Sequence, residues 1–362
     1  MNIKNLSINF KIRKDYNYII NNKNQKKSIK KINLGIELLR MILAILIVMV
    51  HTFRIRNEKS LLFIKKNLPY YVPSFSFIAF YFSYNTFISR NDVKIKQRFI
   101  RILIPYIGWP TIFWLRNNYI YYRYGIKKNI YLKNFYYQLL IGCGIYGIFW
   151  FLFNLLFLSL FFVIIIFLFK KYYLYILFII SILSYIFIYS KFGINFSKLY
   201  KLSLIGHSIL PIPMMILYSL TGFFFSSINI IKKLYRYRIT SLILFGTVLF
   251  IILYNNIIYK IKNFYRGIII NLTILSSFIF FALIPFDKIN NTIIFSILKQ
   301  ITSYTGGIYY LHPNIFEIFE KYIISIKQKT LNGSLLLFLF CYVICLVNSF
   351  LFRKSKIKYL FN

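Results

Sequence analysis

The sequence predicts an all-α protein: a multi-pass transmembrane helical bundle of about ten helices, with both termini cytoplasmic. Three observations predict it. Of 362 residues, 59% are hydrophobic, 21% are aromatic and only 15% are charged, where a soluble domain would carry about a quarter. Apolar runs of about 20 residues recur along the chain, the length at which a helix crosses the hydrocarbon core of a bilayer. Basic clusters stand between those runs, where lysine and arginine anchor helix ends to lipid headgroups.

In chain order, residues 1–32 form a basic, Asn-rich leader with neither the apolar stretch nor the cleavage site of a signal peptide. It is expected to be a partly disordered cytoplasmic tail, with residues 33–362 forming one membrane-embedded domain. Hydropathy then gives spans at 34–53, 70–89, 99–116, 148–169 and 172–190. The second half gives 205–226, 239–258, 267–285, a weaker run at 294–312, and 334–352. With the tail inside, "SRNDVKIKQRFIR", the lysine pair at 170–171, "KKLYRYR" and "RKSKIK" also fall on the cytoplasmic side, in line with the positive-inside bias.

The formal net charge is +39. No groove-reading motif accompanies it, so the expected partner of this charge is the lipid bilayer, and no nucleic-acid partner is expected. Cys143, Cys341 and Cys345 lie in or beside apolar runs, the last two spaced i, i+4 on one helix. They suggest packing, with no disulfide framework, zinc pattern or other metal site.

The first run, "GIELLRMILAILIVMVHTF" at residues 35–53, carries Glu37, Arg40 and His51. A central charge in such a helix costs about 2.5–3.5 kcal/mol on insertion scales. Arg40 and His51 are eleven residues apart, which is about 20° past three full turns with a rise of roughly 16 Å. They share one face, and Glu37 stands one turn before Arg40, within i, i+3 pairing reach. Two readings fit. In one, Glu37 and Arg40 form an ion pair and His51 is an interfacial histidine. In the other, the face lines a cavity in which Arg40 holds an anionic or carbonyl group and His51 acts as base or nucleophile. The separation suits a long carrier, charged at one end and reactive at the other.

This helix, with Arg, ten residues and His, resembles the opening helix of the acyltransferase-3 family of membrane acyltransferases. Further landmarks follow in that family's order. "RFIRILIPYIGW" is similar to the basic start of its third helix, with Arg98 and Arg101 one turn apart before Pro105. "IFWFLFNLLFLSLFF" resembles its Trp-Phe-Leu segment, with Trp150 at the tryptophan. "ILYSLTGFFF" is similar to an aromatic-rich segment whose glycine is Gly222. "ITSYTGGIYYLHPNIF" resembles the Ser-Tyr-x-x-Tyr-Leu-x-His-Pro segment, matching at Tyr310, His312 and Pro313. These landmarks span roughly residues 34–350. The chain departs from the family at Ala79 and Phe80, where Ser and Gly are usual, so that bulk replaces a small, polar, close-packing site. Glu37 stands where aspartate is frequent.

The resemblance implies a cytoplasmic acyl-CoA donor, acetyl-CoA in particular, with no permanently bound cofactor. It implies a sugar or glycolipid acceptor: a hydroxyl of a cell-surface glycan or of its lipid-linked precursor, reached at the cell membrane by a multi-pass protein. On this reading His51, Arg40 and Glu37 form the catalytic set, with His51 either the base or a transient acyl carrier. Arg98, Arg101 and Trp150 bind the donor, the two arginines holding CoA phosphates by charge-assisted hydrogen bonds, although ordinary basic helix flanking also explains them. Tyr310 and His312 serve the substrate. His312 also fits a cap at a break in the ninth helix, beside Glu317 and Glu320, and His207 reads as a helix-end residue. A non-enzymatic transporter or flippase of an envelope precursor would also place Arg and His on one intramembrane face. The ordered landmarks favour the acyltransferase.

Overall fold

The computed structural model describes residues 33–52, 68–123, 132–140, 149–189, 211–255, 257, 263–285, 307–308, 311–312, 315 and 331–353. The chain divides into two units, Met1–Asn33 and Leu34–Asn362. Of the first, Asn33 alone is described.

Every regular element among the described residues is helical. In chain order these are α1 (Leu34–Thr52), α2 (Leu68–Ile88), α3 (Asp92–Arg123), α4 (Leu132–Leu140), α5 (Trp150–Phe169), α6 (Tyr173–Tyr189), α7 (Pro211–Ser227), α8 (Ile230–Leu234), α9 (Arg238–Tyr254), α10 (Asn263–Leu283) and α11 (Leu331–Arg353). Short 3₁₀ turns, Lys170–Tyr172 and Tyr235–Tyr237, join α5 to α6 and α8 to α9. The Ile, Phe and Tyr that crowd these segments have modest helix propensity in water. In an apolar surrounding the backbone must satisfy itself within each segment, and the helix does so.

Helix boundaries follow local chemistry. Asn91 caps α3, its side-chain oxygen accepting the Lys94 N–H at 3.0 Å, and Asp92 places a carboxylate in the first turn, where the helix dipole favours it. Arg90 and Asn229, at φ 47° and 51°, turn the chain after α2 and α7, and Lys170, at φ 38°, turns it after α5. Helices occupy nine of the ten stretches expected from hydropathy. Of the tenth, 294–312, only residues 307–308 and 311–312 are described, all helical. Helix α3 runs well beyond its apolar run at 99–116. The short α4 was not legible as a span; the Tyr106 hydroxyl ties it to α3 by donating to the Leu139 carbonyl.

The tightest pairing is α2 against α7. A Cβ on Gly222 would overlap the Phe77 carbonyl, whose carbon would stand 2.9 Å away, so only glycine allows this approach. Ser76 and Ser219 share a hydrogen bond at 2.7 Å across the same seam. Helix α10 joins it: Asn271 Nδ2 donates to Thr221 Oγ1 at 3.0 Å. Around this centre, α1 packs on α2, α10 and α11, while α5 packs on α2, α3, α6 and α7.

Outward faces are apolar too: Phe157, Leu160, Ile164 and Leu168 of α5 and Ile239, Ile243, Leu244 and Phe250 of α9 are exposed. A helix hydrophobic on every side belongs in a large core or in lipid. By length and composition, two helical stretches of the described residues can cross a membrane: Trp150–Phe187, of 38 residues, and Ile230–Tyr254, of 25 residues. Shorter apolar helices lie at Met215–Ser227, Gly267–Leu283 and Phe338–Leu351.

Candidate active site

Arg40 and Glu37 stand together at the start of α1. Arg40 Nη1 donates to both carboxylate oxygens, at 2.9 and 3.1 Å. The pair is half-buried, with side-chain exposures of 36% for Arg40 and 20% for Glu37. Glu37 also lies in the first turn, favourable to the positive end of the helix dipole. The inward arc of α1 is marked by Ile36, Leu39, Leu43, Ala44, Ile47 and Val48, all buried. Counting from Ile36 at 100° per residue, Ile47 lies at about 20°, position 40 at about 40°, position 51 at about 60° and Ala44 at about 80°. The helix positions of Arg40 and His51 thus fall inside the buried arc. The His51 side chain lies outside the described residues.

Arg98, two turns into α3, is seated differently. Its guanidinium carbon lies 5.4 Å from the Phe80 ring centroid and 5.2 Å from that of Phe87. Its Nη2 donates to Ser159 Oγ at 3.3 Å, and its buried Nε has no hydrogen-bond partner among the described residues. Phe80 and Phe87 are two turns apart on one face of α2, and both are fully buried. Phe80 packs on Phe162 at 4.6 Å, and Phe162 on Phe223 at 5.4 Å. Four helices therefore build the seat: α3 gives the cation, α2 two rings, α5 the hydroxyl and Phe162, and α7 the backing ring.

The other expected donor residues are not in that seat. Arg101, one turn on, is exposed. Trp150 opens α5, nine residues or roughly 14 Å along the axis from Ser159, with its ring against Phe151 at 6.2 Å. One turn further along α5, Asn154 is 1% exposed, and neither its amide oxygen nor its nitrogen has a hydrogen-bond partner among the described residues. Phe87, Ser159 and Asn154 escaped the sequence reading. The only available signal was a hydroxyl and an amide inside the apolar run of α5.

His312 is fully buried. Its Nδ1 lies 3.3 Å from the Ile308 carbonyl, four residues back along the chain. The His312 carbonyl meets the Cys341 thiol at 3.5 Å. Since α11 also packs on α1, it adjoins both His312 and the helix of Arg40. Tyr310, Pro313, Glu317, Glu320, His207 and Cys143 lie outside the described residues.

A protein helical in every regular element of its described residues, with apolar outward faces, a half-buried Arg–Glu pair on its first helix and an arginine seated between aromatic rings on its third, has the features of a membrane-embedded protein with cationic sites set among apolar helices. The acyltransferase-domain model of the acyltransferase-3 family matches residues 33–354. The chain belongs to that family, and hence to the membrane acyltransferases. No curated protein and no solved structure matches it.

Proposed function

We propose that this acyltransferase moves an acyl group, acetyl in the first instance, from cytoplasmic acyl-CoA to a hydroxyl of a cell-surface glycan or its lipid-linked precursor. About ten membrane helices, with both termini in the cytoplasm of a cell-membrane protein, carry the reaction. The acceptor hydroxyl gives its proton to His51, the oxygen attacks the thioester carbonyl, the C–S bond breaks, and the CoA thiolate leaves and takes up a proton. A variant order forms an acyl-imidazole on His51 first; the balance of atoms is the same. Arg40, held by Glu37, serves the thioester carbonyl, while Arg98 and Arg101 serve the phosphates. Trp150 lies on the donor side, and Tyr310 and His312 on the acceptor side.

The observation that carries this reading is the state of Arg98. The Arg40–Glu37 contact is the one ion pair among the described residues, so Arg98 is a caged cation with no described carboxylate beside it. A cation so placed gains from an anionic ligand, and the phosphates of CoA supply one. The test is incubation of membranes containing the protein with acetyl-CoA labelled in the acetyl group. Label is expected in the glycan or glycolipid fraction. Its absence there, with the protein present and folded, overturns the reading.

A further inference from the structure

We propose that Phe80 and Phe87 are positioning residues that hold Arg98 in place without neutralising it, so that the donor's phosphate becomes its counter-ion. The inference rests on the donor role given to Arg98 above and adds the groups that set its geometry. The three centres form a closed triangle: guanidinium to Phe80 at 5.4 Å, guanidinium to Phe87 at 5.2 Å, and ring to ring at 6.3 Å with planes at 61°. Phe162 and Phe223 lock the two rings from behind: Phe80 lies 4.6 Å from Phe162, and Phe87 lies 6.3 Å from Phe223. Ser159 Oγ then fixes the rotation of the guanidinium plane through Nη2.

The choice of aromatic faces has a chemical consequence. A carboxylate would hold the arginine equally well but would cancel its charge. A ring quadrupole attracts the cation through the ring face and leaves the guanidinium N–H edges, which are what bind phosphate in a fork. Phe80 stands where the family resemblance expects glycine, which could supply no ring. The bulk at this position therefore forms one wall of the seat.

The test uses the full-length protein in detergent or proteoliposomes. Phe80→Leu and Phe87→Leu keep apolar volume and remove the quadrupole, while Phe87→Tyr keeps the ring. Each leucine variant is expected to raise the KM for acetyl-CoA by about threefold to tenfold, with the change in KM and not in kcat, and Phe87→Tyr to keep the wild-type value. An unchanged KM in both leucine variants, or a loss confined to kcat, overturns the proposal while leaving the acyltransferase reading intact. If the wild-type protein transfers no acetyl group, the reading fails by itself, and binding of inorganic pyrophosphate to the same proteins decides the proposal. Several-fold weaker binding in the leucine variants supports it, and equal binding overturns it.

Discussion

At the scale of single residues, the chain handles polar groups set among its apolar helices in three ways. Arg40 is answered by a carboxylate one turn away. Arg98 is answered by two rings and a hydroxyl. Asn154 is buried with no hydrogen-bond partner among the described residues. An unsatisfied buried amide costs about 1–3 kcal/mol, so Asn154→Leu is expected to raise the midpoint of thermal unfolding in detergent; a lowered midpoint contradicts this account of the site. The Glu37–Arg40 pair was legible in the sequence because i, i+3 spacing on a helix is a local rule. The partners of Arg98 were not. Phe80 is 18 residues away from it in sequence and Ser159 is 61 away, and among 41 phenylalanines no single ring announces itself. What sequence offered at Phe80 was only a departure from the family pattern, and its meaning waited on the fold.

At the scale of elements, the α2–α7 seam controls the site. It sets Phe223 of α7 behind Phe87, one of the two rings that face Arg98, and it closes only because Gly222 lets the helix approach the Phe77 carbonyl. Gly222→Ala forces the two helices apart at their tightest contact. Overpacking of a fitted interface costs about 1–3 kcal/mol, so this substitution is expected to lower the thermal midpoint of the purified protein and its acetyl transfer together. A normal midpoint in the Gly222→Ala protein would contradict the packing described here. Helix positions were mostly legible, because long apolar runs bounded by basic clusters leave few alternatives in lipid. Ends were less so: α3 continues through Asn117, Asn118 and Arg123, polar residues at which hydropathy alone stops. The glycine of "ILYSLTGFFF" could be singled out by resemblance, but the carbonyl it accommodates could not.

At the scale of the whole molecule, belonging to the acyltransferase-3 family and having apolar outward faces agree on a membrane-embedded acyltransferase. Composition carried the membrane half of that statement, through 59% hydrophobic residues gathered in long apolar runs. The ordered motifs carried the enzymatic half. The spatial grouping within the site was hidden from both, since Arg98 and Trp150 read as one donor set, yet Arg98, on α3, meets α5 at Ser159, roughly 14 Å along that helix from Trp150. The central proposal is that Arg40 and His51, whose positions fall on one arc of the first helix, serve one reaction, and that His51 does the transfer chemistry. Its most direct test is the initial rate of acetyl transfer from labelled acetyl-CoA by His51→Ala, in membranes matched for protein content with the wild type. General-base or nucleophilic loss predicts a fall of about 100-fold or more, whereas a His51→Ala rate close to that of the wild type would contradict the claim.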